Sequence, residues 1–295
     1  MIYTFTLNPS IDHYIYVDRD IEQNGTNRAY KEVSVCGGKG INVSLACKAL
    51  GIDTVCSGVC GGFTGDELVR QLKEKDIKCE FIKSDTDTRI NTKIVRNGAV
   101  TEINSKGEPL SRNTYEKVIT FMSRMTKDDT AVISGSMPYD IDTVNAIFKA
   151  AADSGARLIV DTSGAALKEA LKYKPYMIKP NIDELHEIFG DGDVYRYMKE
   201  VLSLGISAVI VSCGGQGAYY ANEEKRGFIP VKNTGYTVKN TTGAGDSMIA
   251  GYLYGEKNGI DPFICAVSAG SAKAYSEQAL EYGVFKSVIK AYLNE

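Results

Sequence analysis

At 295 residues, 43% hydrophobic and 24% charged, the chain carries enough apolar material for a large core, which excludes a disordered segment or a disulfide-stapled peptide. Thirty-four basic residues against 37 acidic ones give a net charge of −3, which leaves no electrostatic footprint for nucleic acid. No stretch approaches the ~18 uninterrupted apolar residues of a membrane span, and the N-terminus opens without a basic and then apolar leader, so a soluble cytoplasmic protein is expected.

In chain order, the first apolar run, Ile2 to Leu7, reads as a strand. It closes in Asn8-Pro9-Ser10-Ile11-Asp12, where Asp12 either accepts hydrogen bonds from sugar hydroxyls or shapes a turn. Alternation at a period of two follows in Tyr14-Ile15-Tyr16-Val17, in Val33 to Val35 and around Asn91 to Val100; the last carries Asn97-Gly98, a hairpin-turn signal. These half-buried strands predict a small separate sheet, drawn from about 12–36 and 88–104, lying as a lid over the crevice of a larger α/β body. An apolar sheet face has to be covered, so a homodimer through the lid is expected. Without repeats or a linker, 1–295 reads as one domain.

Cys36-Gly37-Gly38-Lys39-Gly40-Ile41-Asn42-Val43 opens a helix with Ile41, Leu45 and Ala49 on one face. Its glycines let the backbone approach a ligand, Lys39 can pair with a phosphate, and Asn42 can donate to and accept from sugar hydroxyls; a glycine turn with a solvated lysine is the plain alternative. Neither a Walker A loop nor a dinucleotide fingerprint is present, which disfavours a dehydrogenase. Thr64-Gly65-Asp66-Glu67 reads as a capping box. In Thr88-Arg89-Ile90-Asn91, Arg89 either forks onto a phosphate or sits on a polar face.

From about Thr130 onward, strands and helices alternate. Ala131 to Ser134, Arg157 to Asp161, Tyr176 to Ile178 and Ala208 to Val211 are continuous apolar runs separated by helical segments, the first near Ile141 to Ala152. That pattern predicts a mostly parallel sheet covered by helices on both faces, with ligands at the strand carboxyl ends. Lys179-Pro180-Asn181-Ile182-Asp183-Glu184 reads both as a capping box from Asn181 to Glu184 and as a phosphate and Mg²⁺ site, with Lys179 facing a nucleotide and Asn181 and Glu184 near the ion, reached through water. Asp191-Gly192-Asp193 lacks the remaining ligands of a calcium loop and reads as a turn. Ser212-Cys213-Gly214-Gly215-Gln216-Gly217 permits backbone contact with a nucleotide, or makes a tight hairpin turn.

Asn240-Thr241-Thr242-Gly243-Ala244-Gly245-Asp246 carries the strongest chemical signal. It precedes an apolar helix, so the amides of Gly243, Ala244 and Gly245 are placed to cradle an anion where the helix dipole is positive. Asp246 stands where a general base for phosphoryl transfer belongs. The seven cysteines form no CxxC pair and read as reduced, mostly buried thiols; His13 and His186 carry no metal or triad pattern.

With these motifs in place, the chain resembles the ribokinase/PfkB family of carbohydrate kinases over essentially its whole length. Gly37-Gly38-Lys39-Gly40-Ile41-Asn42 matches the family's first signature and Thr242-Gly243-Ala244-Gly245-Asp246 its second. Thr6 to Asp12, Thr88 to Asn91, Ser134-Gly135-Ser136-Met137-Pro138 and Lys179 to Asn181 are similar to the branch that phosphorylates ketohexose phosphates. Many members carry Asp where this chain has Asn240.

The resemblance implies a ribokinase-like fold and an ATP- and Mg²⁺-dependent kinase, with Asp246 taking the proton of the acceptor hydroxyl and Gly243, Ala244 and Gly245 holding charge on the transferred group. It places Asp12, Gly37, Gly38, Asn42 and Asn91 on the sugar, and Lys39 and Arg89, joined by Arg28 of the lid, on its phosphate. Lys179, Asn181, Ser212, Gly214, Gly215, Gly217 and Gly245 fall to ATP, with Glu184 and Asn181 near Mg²⁺. A monovalent cation is common in the family but has no clear signal in this sequence. Fructose 1-phosphate and tagatose 6-phosphate both fit, and Thr88 to Lys93 favours the fructose compound. A phosphosugar-binding protein without turnover is the alternative of another class; a base at Asp246 speaks against it.

Overall fold

The structure is a computed structural model that describes residues 1–137 and 139–293; Pro138, the last residue of the Ser134 motif, lies outside the described residues. The chain begins with β1 (Ile2–Thr6), β2 (Ser10–Tyr16), β3 (Lys31–Gly37), α1 (Lys39–Ala49), β4 (Val55–Cys60) and α2 (Gly62–Glu74). It continues through β5 (Cys79–Lys83), β6 (Arg89–Arg96), β7 (Ala99–Ile103), α3 (Arg112–Ser123), β8 (Thr130–Ser134) and α4 (Ile141–Asp153). Next come β9 (Arg157–Asp161), α5 (Gly164–Ala170), β10 (Met177–Ile178), α6 (Ile182–Phe189), α7 (Val194–Ser203) and β11 (Ala208–Ser212). The last elements are β12 (Gly217–Asn222), β13 (Arg226–Pro230), α8 (Ala244–Asn258), α9 (Pro262–Tyr275) and α10 (Tyr282–Leu293).

Nine strands form the large sheet in the order β13-β12-β11-β10-β9-β8-β1-β4-β5, parallel from β11 to β5 and closed at one edge by the antiparallel pair β12 and β13. Alternate residues of its central strands serve two cores. Val132, Ile159, Met177 and Ile210 face α1, α8, α9 and α10, while Ile133, Val160, Ile178 and Val209 face α3 to α7. Each fully buried aliphatic side chain of this kind stabilises by roughly 1.5–3 kcal/mol, which explains why the runs read as continuous apolar strands.

The sequence reading began the large sheet near Thr130, but β1, β4 and β5 from the first hundred residues belong to it too. Strand β4 is buried at every position, yet its sequence, Val-Cys-Ser-Gly-Val-Cys, has neither alternation nor an aliphatic run to reveal it. Thr64 does not cap a helix: α2 starts two residues earlier, and the Thr64 hydroxyl donates to the Thr88 carbonyl at 2.6 Å. The capping box at Asn181 and Glu184 is present in both directions, at 2.8 Å each.

The second sheet has four strands in the order β3-β2-β6-β7. Asn97 and Gly98 both take positive φ, 49° and 82°, and turn β6 into β7 as the hairpin signal predicts. Asp12 pairs in register with Val35 and Asn91, and Tyr14 with Val33 and Lys93, so these side chains share one face. All seven cysteines are free and five are buried; burial pushes the Cys47 thiol up to about 12. Among the described residues no helix is long and apolar enough to cross a membrane.

Candidate active site

Two helix N-termini meet at the carboxyl ends of the large sheet. Helix α1 is anchored there because its Ile41 amide donates to the Thr6 hydroxyl of β1 at 3.0 Å. At the head of α8, Gly243 has φ 80°, a left-handed conformation that favours glycine. The Ala244 amide is spent on the Thr241 carbonyl at 3.1 Å, so of the three amides read as an anion cradle, those of Gly243 and Gly245 remain.

Asp246, in the first turn of α8, is 6% exposed and accepts a hydrogen bond from the Asn42 amide at 2.7 Å. Burial, reinforced by the Asp161 carboxylate, raises its pKa to about 6 against the opposing pull of Asn42, Lys179 and Lys39. Such a group accepts a proton more readily than an ordinary aspartate and is still ionised near neutrality.

Beside it lies an ionic cluster that the sequence only half revealed. Asp161, the last residue of β9, is fully buried between two lysines: Lys39 at 3.2 Å and Lys179 at 3.3 Å. Glu184 approaches Lys39 at 3.7 Å through the oxygen that its capping box does not use. Burial pulls the Lys39 pKa down, but Asp161, Glu184 and Asp246 outweigh it and leave the ammonium raised. Lys179 also reaches α8, since a Cβ at Gly245 would come within 3.3 Å of its Nζ.

The small sheet carries the opposite wall. Asp12 accepts from the Ser10 hydroxyl at 2.7 Å and the Asn91 amide at 2.9 Å, and its second oxygen lies 3.5 Å from Lys93 Nζ. Gly37 sits so close to this group that a Cβ there would approach the Ser10 hydroxyl to 2.7 Å and the Asp12 carboxyl to 2.8 Å. Gly38 then occupies the N-cap of α1. Asp12, Gly37, Asn42, Gly243 and Ser247 line one cleft of about 280 Å³ between the small sheet and the heads of α1 and α8.

The remaining predicted residues fall elsewhere. Arg89 lines a neighbouring hollow with Asn8, Thr88 and Tyr139; its guanidinium donates to the backbone carbonyls of Asn8, at 3.2 Å, and Ser105, while Nε, buried, has no partner. Arg28 lies in the exposed connection between β2 and β3 and is not brought to the cleft. Ser212 bridges to Asn181, next to the ionic cluster. Gly214 and Gly215 are exposed with open space around them. Gly217 is instead buried where β12 starts, against the Ile229 carbonyl, so the hairpin reading holds at that residue. The Asn181 side chain is engaged in its capping box, which leaves it a poor ion ligand.

Among the described residues no three acidic, His or Cys side chains converge as a self-sufficient metal cage. Two carboxylate oxygens fit a hard cation held partly through water and phosphate, each shared with a lysine: Asp161 Oδ2, which makes no hydrogen bond but lies 3.3 Å from Lys179 Nζ, and the Glu184 oxygen outside its cap, 3.7 Å from Lys39 Nζ.

Three residues escaped the sequence reading. Asp161 had a signal, a carboxylate closing a buried strand; Lys93 had one too, being in phase with Arg89 and Asn91 along β6. Lys273, buried in the last turn of α9 and lining the cleft, had none.

The sequence pattern described as pfkB family carbohydrate kinase matches residues 6–274. The chain is 36% identical over 302 residues to a 1-phosphofructokinase of Borreliella burgdorferi, spanning 98% of this chain and 96% of that protein. It is 37% identical over 288 residues to a 1-phosphofructokinase of Bacillus subtilis, spanning 94% of each. A tagatose-6-phosphate kinase of Staphylococcus epidermidis is 33% identical over 270 residues, 86% of this chain and 85% of its own. Phosphofructokinase-2 of Escherichia coli superposes with a TM-score of 0.91 in complex with potassium and 0.90 in a tetrameric inhibited form, at 28% identity and covering 100% of this chain and 99% of that one. An Arabidopsis thaliana ribokinase complexed with ribose and ATP, 18% identical with a TM-score of 0.75, covers 98% of each chain and shares the fold.

Proposed function

The chain belongs to the pfkB family of carbohydrate kinases, and from that premise we propose that it transfers the γ-phosphoryl group of ATP to the free CH₂OH of a ketohexose phosphate, fructose 1-phosphate before others. The observation that carries this reading is the buried Asp246 carboxylate held by Asn42, which itself lines a cleft together with Asp12. Asp12, Asn91 and Asn42 orient the sugar hydroxyls, and Asp246 Oδ takes the proton of the attacking hydroxyl. The Gly243 and Gly245 amides, with Lys39 and Lys179, neutralise charge that builds on the phosphoryl oxygens. Asp161 and Glu184 would hold Mg²⁺, partly through water, and the ion would neutralise further charge on the ATP phosphates. The exposed Gly214–Gly215 turn offers its backbone to the nucleotide, and Arg89 takes the phosphate already on the sugar.

The small sheet acts as a lid that keeps water from the transferred group. On its cleft-facing side, Val33, Val35 and Val100 expose 36%, 36% and 49% of their surface. We assign this rim to a second copy of the chain, giving a dimer through the lid. The balanced charge and apolar cores fit a cytoplasmic enzyme.

Tagatose 6-phosphate is the second reading, favoured by the Staphylococcus epidermidis relative. It shares the furanose ring, one phosphate and one free CH₂OH. Coupled ADP release with fructose 1-phosphate, tagatose 6-phosphate and fructose 6-phosphate tests the assignment through kcat/KM. Fructose 1-phosphate is expected to lead; absence of turnover with all three overturns the kinase reading.

A further inference from the structure

Helices α8 and α9 lie side by side so closely that a Cβ at Gly251 would meet the Cys265 carbonyl and the Ala269 methyl, and one at Gly270 would meet Met248 and the Ala244 carbonyl. Their antiparallel course puts the last turn of α9 beside the first turn of α8. There, Lys273 is 5% exposed. Its ammonium has a single acceptor among the described residues, the Asn240 carbonyl at 3.1 Å, and lines the cleft with Thr242, Gly243 and Ser247. Asn240 is tied at every polar group: its amide N–H donates to Ala274 O at 3.1 Å, its side chain donates to Glu277 O at 3.0 Å, and its Oδ1 accepts from Thr242 N at 2.9 Å. A buried cation with so few partners is costly to keep; beside the Asn240 carbonyl, only the charge of the Asp246 carboxylate favours it.

We propose that Lys273 is a positioning residue, a tethered cation that gathers the Asn240–Gly243 loop and so holds the amide cradle ahead of Asp246 in working shape. The side chain does for the loop what a dissolved monovalent cation does when it collects carbonyl oxygens, and so the enzyme needs none at this point. This inference rests on the kinase reading above.

The test compares wild type, Lys273→Ala and Lys273→Arg in choline, potassium and ammonium chloride at equal ionic strength. Wild-type turnover is expected to vary by less than about twofold among the salts, while Lys273→Ala in choline loses about tenfold or more in kcat with its sugar-phosphate KM within about threefold. Ammonium restores kcat to Lys273→Ala, and Lys273→Arg keeps most of it. Wild-type activation by potassium, an unchanged kcat in Lys273→Ala, a raised KM at constant kcat, or a loss that neither ammonium nor arginine repairs overturns the proposal. Melting temperature is read in parallel. A midpoint of Lys273→Ala raised by ammonium over choline by about 3 °C or more, with wild type indifferent, supports the tether even should no phosphosugar be turned over, in which case the kinase reading alone fails. An Ala variant with no salt response in its midpoint sinks it. Lys273→Met, which keeps the aliphatic stem, replaces Lys273→Ala if that variant does not fold.

Discussion

Asn42 and Asp246 are 204 residues apart in sequence and 2.7 Å apart in space, joined by a hydrogen bond between the first turns of two different helices. Each helix head is pinned separately, α1 to β1 through Thr6 and α8 through the left-handed Gly243, so the pair is fixed by backbone rather than by side-chain adjustment.

Replacing the carboxylate tests the chemistry directly. Asp246→Asn is expected to lower kcat by about 10²–10⁴-fold with a smaller change in sugar-phosphate KM, measured by coupled ADP release.

The raised pKa of Asp246 has two consequences of opposite sign. In its proposed role as base the carboxylate must be ionised, so kcat is expected to fall as pH drops through about 6. Stability moves the other way: the folded state binds this proton more tightly than the unfolded chain, whose carboxyl titrates near its ordinary value of 3.8, so between about pH 4 and 6 this group makes the protein more stable as pH falls. Asp246→Asn is therefore expected to raise the melting temperature near pH 7 and to lose that advantage by about pH 4. A lower melting temperature for the variant at pH 7 would contradict this.

Asn42 holds the Asp246 pKa down, because its amide bonds the charged form. Asn42→Ala is expected to shift the acid limb of the pH–rate profile upward as well as to lower kcat. An unmoved limb would show that the hydrogen bond does not bear on the base.

Asp161 is a buried anion between two cations; taking it away leaves the buried Lys179 without its carboxylate, while Lys39 keeps Glu184 at 3.7 Å. Asp161→Ala is expected to cost about 3–5 kcal/mol in denaturant unfolding, more than a typical surface change by several-fold. A cost below about 1 kcal/mol would mean that water reaches Lys179 once Asp161 is gone.

Arg89 is oriented by two backbone carbonyls, with Nε left over. Arg89→Lys loses the fork geometry, and its expected signature is a KM for the sugar phosphate raised about tenfold with kcat nearly kept. For the small sheet, Val33→Glu places a charge on the exposed apolar rim, and sedimentation equilibrium should show a dimer giving way to monomer.

How much of this was legible in the sequence depended on whether a local period carried the information. The strands from Ala131 to Val211 declared themselves because both faces are covered by helices, and Asn181 with Glu184 declared a cap because the motif is local. Thr64 looked like the same motif, but Thr88 claimed its hydroxyl across 24 residues of chain. Lys179 was noticed through its neighbours in sequence, whereas its partner Asp161 acquires meaning only once β9 and β10 lie side by side. Lys273 reads as an ordinary last-turn lysine until α9 is laid against α8. Arg28 shows the converse, a residue whose type fitted a phosphate but which lies in an exposed connection and does not line the cleft.

The division of labour between the two sheets sets how such an enzyme can change its diet. Asp12, Asn91 and Lys93 ride on the small sheet, while Asp246, Lys39, Lys179 and Asp161 belong to the large body, and a single residue, Gly38, separates β3 from α1. With the roles proposed above, substitutions along β2 and β6 would reshape the choice of acceptor while the phosphate-handling apparatus stays as it is, so new preferences could arise among relatives without the catalytic core being rebuilt.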